Sequence, residues 1–317
     1  MMLDRALEFR FPLVSGADVR AAQQALARAG VLAGDADGIF GPRTRDAVAA
    51  WQQRRGLPAD GVLRPAQWAA LLPEAPAARP TPTDWRAALA PFLPRLAAPH
   101  GAPVGTASRR WSLTPAGVLV LGEDAPRRTS GAPRTVAGCW NRHDAAFQAA
   151  AQRFGVPLEL LLATACTESG GRADAVRQEP GYVSDSETPG RVSPGLMQTL
   201  ISTARASLHD PTLDRARLLD PACSIAAGAA LIRQQAVAGA RPTGFDPVLV
   251  GVAYNAGSLR PMPGGADTCP WGLVQTRRDA NHWHADAFCA FFGDALAVLA
   301  GDPPAAATPS FAALLRG

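Results

Sequence analysis

"LLATACTESGG", Leu161–Gly171, is an apolar run that carries one acid, Glu168, and stops at Ser169-Gly170-Gly171. Pro157 stands where a helix opens, because a proline in the first turn gives up only an N–H that lacks an intrahelical partner. The pattern predicts a helix from about Pro157 to Ser169. Leu161, Thr164 and Ala165 precede Glu168 by seven, four and three residues, so they share its face. The carboxyl therefore projects from a mostly apolar side of its helix. It also lies in the last turn, where the macrodipole is negative. Desolvation and a helix C-terminus both favour the protonated form of a carboxyl, and a carboxyl that keeps its proton near neutral pH suits general acid work. A Glu that ends a helix and reaches into solvent has the same local sequence, so the helix leaves both possibilities open.

Composition bounds the rest. At 317 residues the chain is longer than one average domain, and two domains are expected. It is 47% hydrophobic and 18% charged, which fits a globular protein rather than a disordered one. No apolar run approaches the roughly 20 residues that span a bilayer, so stable membrane insertion is not expected. The first sixteen residues carry Asp4, Arg5, Glu8 and Arg10 and lack the apolar core of a signal peptide. All 31 basic residues are Arg, a coding bias of GC-rich genomes more than a functional one. The net charge of +4 favours an anionic partner such as a cell wall or a nucleic acid. No Arg-rich run interleaved with aromatics supports nucleic acid. The five cysteines, Cys139, Cys166, Cys223, Cys269 and Cys289, include no CxxC pair and read as reduced, buried thiols. "HWHADAFC" at 282–289 offers His282, His284, Asp286 and Cys289 as ligands, but it reads more simply as the start of a C-terminal helix; no metal and no cofactor are expected.

Residues 16–73 form one unit. Asp18 is placed to cap a helix whose apolar positions are Val19, Ala22, Leu26 and Ala29 and which Gly30 ends. Asp37-Gly38 and Asp60-Gly61 are turns that bracket a second helix, opened near Pro42, with Ala47, Val48 and Trp51 inward. A short third helix ends in Trp68, Leu71 and Leu72. The stretch containing Asp37, Gly38, Phe40, Gly41, Thr44, Ala47, Val48, Trp51, Gln52, Gly56, Leu57, Asp60 and Gly61 resembles the peptidoglycan-binding type 1 domain. It departs from that pattern at Arg64 and Gln67. The resemblance implies a three-helix wall-binding domain, with Asp37, Phe40, Arg43 and Thr44 as candidate wall contacts. Trp51 reads as core.

Residues 1–15 read as an N-terminal extension and 74–107 as a Pro/Ala-rich linker and connector; "PEAPAARPTPT" at 73–83 is semi-rigid by composition. Residues 108–138 read as an apron on the next domain, with strand-like content at Val118 to Leu121. Helices are expected at 144–154, 157–169, 202–208, 222–238, 246–256 and 284–300, and the domain is placed at 108–300 with a tail at 301–317. Asp246-Pro247 is an N-cap with an N1 proline, and Gly257 suits the position after the helix. The fold class is mainly α.

"SPGLMQT" at 193–199 follows a Gly/Pro/acid-rich loop, and "AYNAG" at 253–257 ends a helix. ESG, GLMQ and AYNAG in this order resemble the catalytic domain of soluble lytic transglycosylases, over roughly 139–300; goose-type lysozymes share the fold and the first two motifs. The resemblance implies a lysozyme-like, predominantly α-helical domain with Glu168 as catalytic acid. Ser169 is expected to help hold the carboxyl. Gly195 would let backbone approach a sugar, Met197 would offer it an apolar surface, and Gln198 would supply amide hydrogen bonds. The Tyr254 hydroxyl is placed to bond Glu168, and Asn255 to orient the substrate.

Typical glycosidases need a second carboxylate. Where goose-type hydrolases carry an Asp two residues after this Gln, the chain has Leu200. The loop before GLMQ contains Asp185 and Glu187, which stay open as second acids. A lytic transglycosylase needs none, because the C6 hydroxyl of its own substrate is the nucleophile. The expected activity is cleavage of the bond between N-acetylmuramic acid and N-acetylglucosamine, with 1,6-anhydromuramic acid formation. A hydrolytic muramidase and a non-catalytic wall-binding tail protein are the alternatives. The expected partner is peptidoglycan, and the chain is expected to be a monomer. Without a signal peptide, it is expected to be made in the cytoplasm and to reach the periplasmic wall through a holin, a virion or a secretion apparatus, as modular phage endolysins do.

Overall fold

The computed structural model describes residues 5–32, 36–71, 84–238, 240–263, 269–279 and 282–315. The chain forms two compact units, Met1–Pro80 and Thr81–Gly317.

The first unit holds three helices: α1 (Ala17–Arg28), α2 (Pro42–Arg54) and α3 (Pro65–Leu71). Val19, Ala22 and Leu26 of α1, Ala47, Val48 and Trp51 of α2, and Trp68 and Leu71 of α3 close around Phe40. One device is used twice. Gln23 accepts from Gly38 N at 2.8 Å and donates to Asp37 Oδ1 and Ile39 O. Gln52 accepts from Gly61 N at 2.9 Å and donates to Asp60 Oδ1 and Val62 O. Each helix glutamine thus clamps an Asp-Gly turn whose glycine has φ of +80° or +71°, a region that favours glycine. Arg64 and Gln67, the departures from the family pattern, are accommodated here: Arg64 pairs with Asp60 at 2.7 Å, and Gln67 Oε1 accepts from Arg64 N and Gln52 Nε2.

Two boundaries move. Residues 5–15 are not an extension, because Leu7 and Val14 are buried in this core and Leu7 pairs with Leu63 as a β-bridge. Gly16, not Asp18, is the N-cap of α1; Asp18 lies inside the first turn and takes Arg5 Nε at 2.8 Å. Leu72, expected to end the third helix, and the linker stretch 73–83 lie outside the described residues.

The second unit begins with α4 (Trp85–Leu89) and α5 (Leu93–Ala97), then the hairpin β1 (Trp111–Thr114) and β2 (Gly117–Val120). There follow α6 (Arg134–Phe154), α7 (Leu158–Ser169), the pair β3 (Val176–Gln178) and β4 (Val192–Pro194), α8 (Ile201–Leu208), α9 (Arg215–Leu219), α10 (Pro221–Val237), α11 (Pro247–Ala256), α12 (His284–Gly301) and α13 (Phe311–Leu315). Both strand pairs are antiparallel. α7 is the central helix, packed by α6, α10, α11 and α12. From Leu158 to Ser169 every residue is buried except Glu168. The helix therefore has no solvent side, and its sequence lacks a polar face for that reason.

The segment 84–107 is part of this core rather than a connector: Trp85, Leu89 and Leu96 are buried in it, and Trp85 Nε1 donates to Ala306 O at 3.0 Å. The stretch 301–317 is likewise no free tail. Buried Glu159, in the first turn of α7, accepts from Ser310 Oγ, Phe311 N and Ala312 N, which docks Phe311 into the core. Burial pushes the Glu159 carboxyl up against the pull of these donors. The apron is tied to α12 by charge. Asp286 takes Arg109 at 2.8 Å, Arg127, and the Trp271 indole, while Asp294 takes Arg128 and Thr129. α12 is the described helix long and apolar enough to cross a membrane, and most of it is buried as a core helix here.

Candidate active site

Glu168 stands at the last turn of α7 with its side chain 14% exposed, the one opening in a buried helix. Gly170 follows with φ of +65°, the left-handed conformation in which helices commonly end. Three guanidiniums hold the carbonyls of this end: Arg278 donates to Thr167 O at 2.9 Å, Arg172 to Ser169 O and Arg142 to Gly171 O, both at 3.2 Å. Their charge offsets the negative end of the helix dipole.

The turn carrying Gly195 to Gln198 is built against this helix end. Ser169 Oγ lies 2.7 Å from Leu196 O and 3.0 Å from Ala165 O, so it joins α7 to the turn and does not hold the carboxyl. Gly195 has φ of +86°, and a Cβ there would stand 1.9 Å from Leu218 O. Its purpose is passage against the α9–α10 junction, not approach to a sugar. Met197 is fully buried against Gly228 and offers no surface to a saccharide. Gln198, itself at φ +49°, donates to Ala175 O and Gly195 O and accepts from Ser193 Oγ, which makes it the brace of the turn.

Tyr254 comes from the last turn of α11. Its hydroxyl donates to Met197 O at 2.9 Å and takes Thr199 Oγ1 at 2.7 Å, rather than bonding Glu168. Burial pushes the phenol well up against the smaller opposing pull of the Thr199 hydrogen bond, with the charge of Glu168 adding a lesser push, so it stays a protonated donor beside the acid. Asn255 Oδ1 accepts from Thr276 N at 2.8 Å and thereby holds the segment that leads into α12.

That segment brings to Glu168 a residue that the sequence offers only as a possible metal ligand. His284 N donates to Thr276 O at 2.9 Å, and His284 Nε2 lies 3.3 Å from Glu168 Oε1 with its side chain 4% exposed. The other members of "HWHADAFC" go elsewhere: His282 to Asp279, Asp286 to the arginines of the apron, and Cys289 into the core. Local spacing around His284 suggests only a metal ligand, because its partner Glu168 lies 116 positions earlier in the chain. Cys166, two residues before Glu168, is buried against Cys139, whose thiol, together with burial, pushes it up; it is a core thiol.

The two open acids are placed differently. Asp185 receives Arg215 at 2.6 and 2.9 Å and the Tyr182 hydroxyl at 2.8 Å. Arg215 holds this carboxyl below the usual range, against a smaller effect of burial. Glu187 is exposed and accepts from Ser184 Oγ within its own loop. In the first unit, Phe40 and Thr44 are buried, Thr44 against Gln23 at 3.1 Å, and so are not wall contacts. Asp37 and Arg43 remain exposed, with Gln23 holding the Asp37 carboxyl below its ordinary range.

Residues 145–262 match the transglycosylase SLT domain family. The second unit thus contains a transglycosylase SLT domain, over residues 145–262. Residues 15–71 match the peptidoglycan binding domain family. The chain thus joins a peptidoglycan-binding domain to an SLT domain, and it is a peptidoglycan-degrading enzyme of lytic transglycosylase type. The SLT match includes Glu168, the turn of Gln198 and Tyr254, and it ends before His284. No curated protein matches the chain. The crystal structure of a Burkholderia AP3 phage endolysin is 20% identical, covering 78% of this chain and 85% of that one, at a TM-score of 0.22.

Proposed function

We propose that the SLT domain cleaves the bond between N-acetylmuramic acid and N-acetylglucosamine without water. Glu168 protonates the glycosidic oxygen as its bond to C1 breaks. The carboxylate left behind takes the proton of the muramoyl C6 hydroxyl as that oxygen bonds to C1. The ring closes as 1,6-anhydromuramic acid, and Glu168 regains its proton. The nucleophile is already part of the substrate, which gives it a high effective concentration.

The observation that carries this reading is the engagement of Asp185. A water-activating base needs a free carboxylate lone pair aimed at water, and Asp185 is committed to Arg215 and Tyr182. Leu200 stands where a second acid is expected. Mass spectrometry of the soluble products tests it: muropeptides should end in the anhydro sugar, lighter by one water than hydrolysis products. Glu168→Gln should fold, bind sacculi and lose about 10⁴-fold or more in lysis, since one residue serves as both acid and base. Reducing-end muramic acid in the digest would make the enzyme a muramidase. The joining of a binding unit to a lytic unit supports a role in cell-wall lysis, delivered by a holin, a virion or a secretion apparatus. The neighbouring genes distinguish these routes.

A further inference from the structure

His284 is a buried histidine that the two-step reaction does not use. It begins α12, and the backbone around it is held on three sides. His284 N donates to Thr276 O, Ala285 N to Gln275 Oε1 at 2.7 Å, and Trp283 N to Asp286 Oδ2 at 2.7 Å. Thr276 is in turn held by Asn255 of the AYNAG turn. This scaffold places Nε2 of His284 3.3 Å from Glu168 Oε1. The two atoms are close but misaligned, so Nε2, although buried, has no hydrogen-bond partner among the described residues. Such atoms are rare in native structures and each calls for an explanation, a catalytic role among them; this one lies beside the catalytic acid. Catalytic hydrogen bonds are often long or poorly aligned before substrate binds and tighten only in the complex.

We infer that His284 is a positioning residue for Glu168, aiming the carboxyl and stabilising the carboxylate formed when it gives up its proton. This rests on the assignment of Glu168 as the catalytic acid. With Oε1 turned to His284, Oε2 is the oxygen left to face the glycosidic bond. Oε2–H protonates the leaving oxygen as the bond to C1 breaks. The N–H of Nε2 then aligns on Oε1 and shares the new negative charge. When Glu168 takes the C6 hydroxyl proton, that hydrogen bond relaxes. His284 keeps its own proton throughout, so the stoichiometry of the reaction is unchanged. A hydrogen bond to a charged group is about twice as strong as a neutral one, and this one strengthens as the charge develops, so its effect falls on turnover rather than on binding.

Two substitutions separate the hydrogen bond from the volume. His284→Phe fills the space without a donor, and His284→Gln returns an amide N–H near the position of Nε2. With purified sacculi as substrate, His284→Phe should turn over about 10- to 100-fold more slowly at saturation with an unchanged half-saturating concentration. His284→Gln should recover most of that loss. Wild-type turnover in His284→Phe overturns the inference. So does an equal loss in both variants when both unfold at the wild-type midpoint, which would mean that ring shape alone matters. If the variants fail to fold, the full-length protein labelled with ¹⁵N-histidine decides. The Nε2 resonance of His284 should differ between wild type and Glu168→Gln, and identical resonances refute the contact. Undiminished lysis by Glu168→Gln sinks the catalytic assignment itself, a result distinct from any failure of His284.

Discussion

Gly195→Ala separates two accounts of the GLMQ turn. If Gly195 exists so that a sugar can approach the backbone, an added methyl costs binding and spares the fold. The structure gives the opposite answer. The new Cβ would stand 1.9 Å from Leu218 O, 2.9 Å from its carbonyl carbon and 2.9 Å from Ser224 Oγ. The first of these obstacles is backbone and cannot rotate away. A left-handed non-glycine residue costs roughly 1–2 kcal/mol, and forcing a methyl into a packed interior adds about 1–3 kcal/mol. The sum, about 2–5 kcal/mol, corresponds to a fall of roughly 4–20 °C in the unfolding midpoint for a unit of this size. Gly257 is the internal control. It has φ of +78° with nothing within 4 Å of an added Cβ, so Gly257→Ala should cost only the conformational part, about 1–2 kcal/mol. Scanning calorimetry of the two variants, beside lysis measured below both midpoints, reads the difference. Gly195→Ala with a wild-type midpoint and lost glycan binding would refute the packing account.

Asp185→Asn and Glu187→Gln should each lower lysis by less than about tenfold, because removing a general base would cost about 10²–10⁴-fold; a loss beyond 100-fold in a folded variant restores the hydrolytic reading. A pH effect is expected at His100, whose Nε2 lies 2.5 Å from Asp246 Oδ2. Burial opposes the charged imidazole, yet the hydrogen bond and charge of Asp246 prevail and leave its pKa raised. Stability from this pair is therefore complete below the ordinary histidine value of about 6.5 and is lost as pH rises through the raised folded-state value. Urea midpoints measured from the acid side upward should fall more for wild type than for His100→Gln, and parallel curves would refute the linkage.

Much of the architecture was legible because its signals are local. Asp246-Pro247 and Gly257 mark helix ends through backbone chemistry that acts within one turn, and Pro157 marks one too, although it stands at the N-cap before Leu158 rather than in the first turn. Trp51 and Val48 were inward by helical spacing. Where the signal was short and apolar, the sequence misled. Trp85 to Leu96 looks like connector because Pro91 and Pro94 break its helices into pieces, yet three of its side chains are core. The docking of Phe311 depends on Glu159, 152 residues away, which no local pattern reveals.

The same division runs through the site. The sequence by itself determined that Glu168 ends a helix of buried character, and that the GLMQ and AYNAG turns belong with it, since motif order and helix chemistry are properties of the chain. What each motif residue does was decided by tertiary structure. Ser169, Met197 and Gln198 spend their side chains on joining and filling the turn, and Asn255 holds the strand of chain that delivers His284. The physical reason is that hydrogen bonds and steric contacts reach only a few ångströms. A pair such as Glu168 and His284 comes within that reach only after α7 and α12 have packed, and nothing in either local sequence encodes the other's position.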